Sequence, residues 1–292
     1  PMKPRAEQRR IKLDIKDYKI VADSCCDISE EIKKETNIDI VPLTMRIGDK
    51  EYVDDETLDK QDYIKAMKES RTAPSTSCPP VYDFMEKFKE AKNIFVVTIS
   101  SKLSGTYNSA MQAKQAILEE AGDRFIHVFD SMSACIGETL VSLKIHEYIK
   151  NNLKNLEIVD RVNSYIKEMK TFFVLENMDN IVKSGRLNPL VAKAASILNI
   201  KPIMGSDNGN IRLVDKVRGH ERALKRLIDV IGEEGSRLEE KVLGIAHCNC
   251  LQRALDLKSR IMERYKFKDI IIVGMSGISS TYANDGGLVI AF

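Results

Sequence analysis

Short apolar runs alternate with amphipathic stretches in the first half of the chain. The runs are rich in β-branched and aromatic residues, which favours buried strands, and each precedes a stretch whose apolar residues recur with helical spacing. Strands that alternate with helices predict βαβ units and a parallel sheet. These strand and helix pairs are residues 18–22 with 29–35, 94–99 with 109–120, and 124–129 with 134–151.

The remaining segments predict smaller elements in the first half and a second set of helices and strands after it. In the first half we expect a strand at 38–47, a turn at Gly48 and Asp49, a strand at 51–53, a helix at 58–68, a rigid polar loop at 72–80 and a helix at 81–92. In the second half we expect strands at 171–175, 200–204, 211–214, 242–246, 270–273 and 288–292, helices at 157–170, 177–183, 189–198, 219–230 and 252–265, and a polar connection at 279–287.

Composition narrows the class of protein. The chain has 292 residues, enough for two layered lobes or one large domain, and a formal net charge of +2, which argues against a nucleic-acid-binding protein. No apolar run is long enough to cross a bilayer, and residues 1–17 are polar and lack a signal core, so we expect a cytoplasmic protein with an N-terminal extension or expression remnant. The six cysteines show no paired zinc-ligand spacing and are expected to be reduced.

Hydroxyl side chains gather where predicted strands end. Residues 99–110 read Ile-Ser-Ser-Lys-Leu-Ser-Gly-Thr-Tyr-Asn-Ser-Ala and form a strand-to-helix turn, whose free N–H groups favour an anion. Thr76 and Ser77 precede another helix start. The alternative for these stretches is a hydroxyl-rich helix cap. Because ligands bind beyond the carboxyl ends of parallel strands, the recurrence of hydroxyls there favours a binding site.

Familiar catalytic motifs are absent from the sequence. There is no G-x-S-x-G, no G-x-x-x-x-G-K-[ST] and no G-x-G-x-x-G. Asp23 and Asp130 follow two strands, but two acids are weak support for a metal site, and we expect each to fix a turn. The basic segment 216–226 is either a solvated face or a docking surface for an acidic partner.

Seven short motifs occur in an order that resembles a known family. They are Tyr18 to Asp23-Ser24, Thr76-Ser-Cys-Pro79, Ile99-Ser-Ser-Lys-Leu-Ser-Gly-Thr-Tyr107, Phe129-Asp-Ser131, Lys183-Ser-Gly-Arg-Leu187, Ile200-Lys-Pro-Ile203 and Lys216-Val-Arg218. Together they resemble the DegV family of fatty-acid-binding proteins, which includes the FakB subunits of bacterial fatty acid kinase. The chain departs from the family pattern at Cys78 and Pro80, and at Tyr282, where the family often has histidine.

The resemblance implies an α/β fold with two lobes, residues 18–155 and 156–292, the first with a mostly parallel sheet. It also implies a long-chain fatty acid in a tunnel between the lobes, with its carboxylate held by Thr76 and Ser104. These are neutral donors, so we expect no fixed cation in the site, which can then release or accept an acyl phosphate. We expect support from five neighbours, with Gly105 allowing close backbone approach and Thr106 capping the helix: Ser77, Ser100, Ser101, Gly105 and Thr106.

The leading hypothesis is therefore a non-enzymatic lipid carrier that presents the carboxyl group to a separate ATP-dependent fatty acid kinase, without cofactor or metal. The basic segment supplies Arg218, Arg222 and Arg226 as residues for docking the partner. Two alternatives remain. One is an enzyme that acts on a small phosphorylated or carbonyl substrate in the same cleft. The other is a regulatory or scaffold module that uses the basic helix.

Overall fold

The computed structural model describes residues 17–195 and 200–292, which form thirteen strands and eleven α-helices. The strands are β1 Tyr18–Asp23, β2 Ile38–Val41, β3 Thr44–Ile47, β4 Lys50–Val53, β5 Ser75–Ser77, β6 Asn93–Thr98, β7 Phe125–Asp130, β8 Thr171–Val174, β9 Ile200–Asp207, β10 Asn210–Arg218, β11 Val242–His247, β12 Asp269–Gly274 and β13 Leu288–Ala291. The helices are α1 Glu30–Thr36, α2 Lys60–Glu69, α3 Val81–Phe88, α4 Thr106–Glu120, α5 Ile136–Lys150, α6 Asn155–Glu168, α7 Asp179–Lys183, α8 Pro189–Ala195, α9 His220–Glu234, α10 Leu251–Arg264 and α11 Gly277–Ala283.

The first sheet is parallel, in the order β2-β1-β6-β7, which confirms the predicted βαβ arrangement. Its strands are apolar on both faces because helices cover both. Ile94 and Val96 pack with the α3 and α4 layer, whereas Phe95 and Val97 pack with the α5 and α6 layer. Because β1, β6 and β7 are neighbouring parallel strands, the turns that follow them lie side by side at the carboxyl edge of the sheet.

The second sheet has six strands in the order β10-β9-β8-β13-β11-β12, and only β11 and β12 are parallel. Leu288 and Ile290 of β13 pack with helices α9 and α10, and Val289 and Ala291 face the opposite side. Helix α5 contacts strands of both sheets and therefore lies between them. The α/β class and the parallel first sheet are confirmed, whereas the boundary at residue 155 stays a prediction.

A third sheet, β4-β3-β5, corrects two sequence-based expectations. Residues 38–47 do not form one strand, because the chain breaks after β2 at Pro42, which has no N–H to continue a ladder, and β3 joins a different sheet. The segment expected to be a rigid polar loop contains β5, which pairs with β3 and carries Thr76.

Helix α11 corrects a third expectation, since residues 279–287 were predicted as a polar connection. Ser276 caps the helix by accepting the N–H of Ser279 at 3.4 Å, and Asp54 accepts the N–H groups of Gly277 and Ile278 at 2.7 and 2.9 Å. Its hydroxyl residues are buried, which sequence polarity did not indicate. Other differences are confined to element ends, and residues 196–199 of the helix predicted at 189–198 lie outside the described residues. Within the described part of the chain, no helix combines the length and apolar character needed to span a bilayer.

Candidate functional site

An apolar cavity lies where the turns of the first sheet face the inner side of the second. Its walls come from the turns after β1, β6 and β7, from β8, from the β9–β10 hairpin and from α11. The surface that these walls present to the cavity is almost entirely apolar. Apolar lining residues include Ile99, Leu103, Ala134, Phe173, Leu175, Ile181, Ile211, Ile278, Ala283 and Val289. Such walls suit a ligand with a long hydrocarbon portion.

Two side chains of the lining, Arg186 and Tyr282, connect the cavity to Thr76. The Tyr282 hydroxyl lies 2.6 Å from Thr76 Oγ1, in a hydrogen bond that either group can donate. Arg186 Nη2 donates to the same Thr76 oxygen at 3.4 Å, and the guanidinium lies over the Tyr282 ring, 5.1 Å from its centroid. Two residues that lie 110 and 206 positions after Thr76 in the sequence thus converge on its hydroxyl.

Arg186 also joins Thr76 to the turn that carries Ser104. Its Nε donates to the carbonyl oxygen of Leu103 at 2.9 Å. Ser104 Oγ lies 2.9 Å from Thr106 Oγ1 and accepts the Thr106 N–H at 3.4 Å, at the start of α4. The guanidinium therefore bonds both to Thr76 and to the residue that precedes Ser104.

The expected supporting residues occupy different surroundings. Ser77 is exposed on β5. Ser100 is buried and donates to the carbonyl oxygen of Gly209 at 2.8 Å, so its hydroxyl fastens the turn after β6 to the β9–β10 hairpin. Ser101 is exposed, and its N–H donates to Asp130 Oδ1 at 3.2 Å. A supporting role for these serines in ligand binding stays a prediction.

The remaining two supporting residues begin α4. Gly105 is the N-cap residue with φ −73°, which any residue can adopt, and a Cβ there would lie 3.4 Å from Cys78 Sγ in ordinary contact. Glycine is therefore not required by the backbone at this position. Thr106 is buried and is the first helical residue rather than the cap. A contribution of either residue to ligand binding stays a prediction.

The basic residues proposed for docking differ in their availability. Arg226 is paired through Nε with Asp215 at 2.6 Å and through Nη1 and Nη2 with Glu233 at 2.5 and 2.9 Å, which raises its pKa. Arg218 and Arg222 are exposed. Arg226 therefore holds β10 to α9, whereas docking by the other two stays a prediction.

A family model described as "Uncharacterised protein, DegV family" matches residues 17–292. This chain belongs to the DegV family. A DegV domain-containing protein of Streptococcus pneumoniae is 36% identical in an alignment of 281 positions that covers 94% of this chain and 98% of that protein.

Solved structures of DegV proteins share the fold. A DegV family protein of Ruminococcus gnavus, solved with vaccenic acid, is 41% identical with a TM-score of 0.91, covering 95% of this chain and 100% of that one. The Streptococcus pneumoniae fatty acid kinase B3 protein, loaded with linoleic acid, is 34% identical with a TM-score of 0.87, covering 94% of this chain and 98% of that one.

The structure places a positive charge, Arg186, beside Thr76, where we expected neutral donors alone. Arg186 lies in the Lys183-Ser-Gly-Arg-Leu187 motif, which contributed to the resemblance but gave the arginine no role. Gly185, with φ +74°, provides the left-handed turn after α7 that precedes it. The guanidinium of Arg186 contacts β5, which is remote in the sequence. The motif was therefore the one sequence signal that pointed to Arg186. Tyr282, which departs from the family histidine, nevertheless contacts Thr76.

Proposed function

We propose that the protein binds a long-chain fatty acid, with its hydrocarbon tail in the apolar cavity and its carboxylate at Thr76, Ser104 and Arg186. The observation that carries the proposal is the direct connection between an apolar cavity and one hydroxyl that both Arg186 and Tyr282 contact. The DegV structures with vaccenic and linoleic acids support it.

The energetics suit this division of roles. Burial of a methylene contributes about 0.8 kcal/mol, so a tail of about fifteen methylenes supplies on the order of 12 kcal/mol before ordering costs are subtracted. The hydroxyls and the guanidinium then act mainly on orientation, because their hydrogen bonds replace bonds to water. Charge-assisted bonds from Arg186 favour the ionised carboxylate over a neutral head group.

We further propose that the protein is a carrier and that a separate fatty acid kinase phosphorylates the bound carboxyl group. Phosphoryl transfer depends on positioning and on stabilising charge at the phosphoryl group. Thr76, Ser104 and Arg186 supply donors to a carboxylate but no nucleotide phosphate cradle. The similar Streptococcus pneumoniae structure is that of a fatty acid kinase B3 protein, which supports a kinase partner.

Fatty-acid binding is tested by native mass spectrometry of the delipidated protein after incubation with one saturated fatty acid. We expect a one-to-one adduct that weakens in the double variant Thr76→Val with Ser104→Ala. Ser75→Ala is the matched control, because Ser75 is an exposed hydroxyl on the same strand and has no predicted role in binding. An adduct of equal strength in the double variant would show that the head-group assignment is wrong.

The carrier role is tested by adding ATP and the catalytic subunit of a bacterial fatty acid kinase. We expect acyl phosphate only when the protein, the fatty acid and the kinase are all present. Turnover of a small phosphorylated or carbonyl substrate by the lipid-free protein alone would instead support the enzyme alternative.

A further inference from the structure

A buried cluster of potential metal ligands lies beside the cavity and has no role in the proposed function. Asp23 at the end of β1, Cys25 in the following turn and Glu138 in the first turn of α5 each place a ligand atom within 4.8 Å of the others. All three are buried, with exposures of 0%, 3% and 0%. Two carboxylates and one thiol are thus removed from water together.

Glu138 is the member that its protein surroundings leave unsatisfied. Within the described part of the chain, both of its carboxylate oxygens are buried and no backbone or side-chain N–H donates a hydrogen bond to them. By contrast, Asp23 accepts the N–H of Cys25 at 2.9 Å and the N–H of Ile99 at 2.8 Å. An isolated buried carboxylate is costly unless a cation or a proton compensates it. The described protein groups therefore leave the negative charge of an ionised Glu138 uncompensated.

The groups that face Glu138 do not compensate its charge. They are acids and thiols: Asp23, Cys25, Cys26 and Asp27. One oxygen of Asp27 has no hydrogen-bond partner among residues 17–195 and 200–292. Among the described residues, no hydrogen bond or ion pair links a lysine, arginine or histidine to Asp23 or Glu138. The described lysine, arginine and histidine side chains therefore supply no compensating positive charge to the cluster.

We propose that Asp23, Cys25 and Glu138 form a binding site for a divalent cation of the zinc class. Mixed sulfur and oxygen ligation favours Zn²⁺ over Mg²⁺ or Ca²⁺, which prefer oxygen ligands and several waters. Ligand atoms on tetrahedral zinc lie about 3.3–3.8 Å apart, so the side chains need to move together by no more than about 1.5 Å. Binding releases the thiol proton of Cys25 and any proton held by Glu138.

The lipid cavity provides the entry path for the cation. Cys25 lines this cavity, and so does Ser279, whose Oγ lies 3.8 Å from Cys25 Sγ. A cation at the cluster would thus sit against the cavity wall. It would tie the turn after β1 to helix α5, the helix that lies between the two sheets.

The test uses the full chain, first stripped of metal by a chelator and then titrated with Co²⁺ and with Zn²⁺. We expect one equivalent of metal and a near-ultraviolet absorption band from cobalt–thiolate bonding, displaced by Zn²⁺. Glu138→Gln, which keeps the shape and removes the charge, should weaken Zn²⁺ binding at least tenfold. Cys25→Ser should abolish the band. The controls are Glu147→Gln on the same helix and Cys78→Ser.

Two results would overturn the proposal. One is the absence of a cobalt–thiolate band in the wild-type protein. The other is unchanged Zn²⁺ affinity in Glu138→Gln. If this variant is also more stable than the wild-type protein, a proton rather than a cation compensates Glu138. If circular dichroism shows that Glu138→Gln does not fold, the Cys25→Ser variant serves as the test. Loss of the cobalt–thiolate band in the folded Cys25→Ser variant supports the site, and retention of the band overturns it. Fatty-acid binding, measured in the same samples, separates failure of this proposal from failure of the proposed function.

Discussion

Replacement of Arg186 by glutamine should separate recognition of the carboxylate from burial of the tail. The guanidinium is held in place by Leu103, Thr76 and the Tyr282 ring before a ligand arrives. Little further ordering is needed, so most of its interaction with a carboxylate should be retained as affinity. Glutamine keeps an N–H donor and removes the charge, on a side chain that is two bonds shorter.

The expected magnitude follows from the charge-assisted bond. A hydrogen bond to a charged group contributes about 1.5–3 kcal/mol, and about 1.4 kcal/mol corresponds to a tenfold change in Kd. Arg186→Gln should therefore raise the Kd for a fatty acid by roughly 10- to 100-fold. The Kd for a chain-matched fatty alcohol should change by less than about threefold, because its neutral head group forms only a neutral hydrogen bond.

The Kd is measured by isothermal titration calorimetry of the delipidated protein with the acid and with the alcohol at neutral pH. Arg222→Gln is the matched control, because it removes an exposed arginine remote from the cavity lining. Equal losses for acid and alcohol would refute the reasoning, since they would show that Arg186 shapes the site without recognising charge. An unchanged Kd for the acid would remove Arg186 from the head-group site altogether.

Three further predictions concern stability and are measured by urea unfolding. Gly277→Ala should lower the free energy of unfolding by more than about 2 kcal/mol, because its Cβ would lie within 2.5–2.9 Å of three side-chain atoms, whereas Gly274→Ala, with open space, should be near neutral. Burial lowers the pKa of His127 to about 4, so between about pH 6.5 and 4 the unfolded chain binds more protons than the folded one, and the free energy of unfolding falls as pH falls. His127→Gln should therefore lose less stability than the wild-type protein between pH 7 and pH 5. An equal loss would contradict this prediction. Tyr282→Phe should cost the lipid-free protein about 0.5–1.5 kcal/mol through the lost bond to Thr76, and no change would show that water replaces the hydroxyl.

Local patterns in the sequence were sufficient for the strands and helices of the first sheet. The apolar run that became β6 is buried on both faces, so its composition alone identified it. The sequence also identified the hydroxyl-rich turn after β6, because Ser100 and Thr106 come within a few positions of the end of that strand. Secondary structure of this kind depends on neighbours within a few positions, and those neighbours are present in the sequence.

Helix α11 shows where local patterns fail. Its serines and threonine are typical of a surface loop, yet they are buried against α2 and β3, and Asp54 holds the first turn from another part of the chain. The break at Pro42 is similar, because the sequence indicated a strand but not that its two halves join different sheets. Tertiary contacts outweigh weak local preferences in both segments.

The sequence by itself determined the α/β class, the family resemblance and the hydroxyls that precede two helices. Only the tertiary structure decided that Arg186 and Tyr282 meet Thr76, across 110 and 206 positions of sequence. Only the structure placed Glu138 beside Asp23 and Cys25. The physical reason is that a binding site depends on distances between side chains. Those distances are set by how the sheets and α5 pack together, which no local pattern of residues specifies.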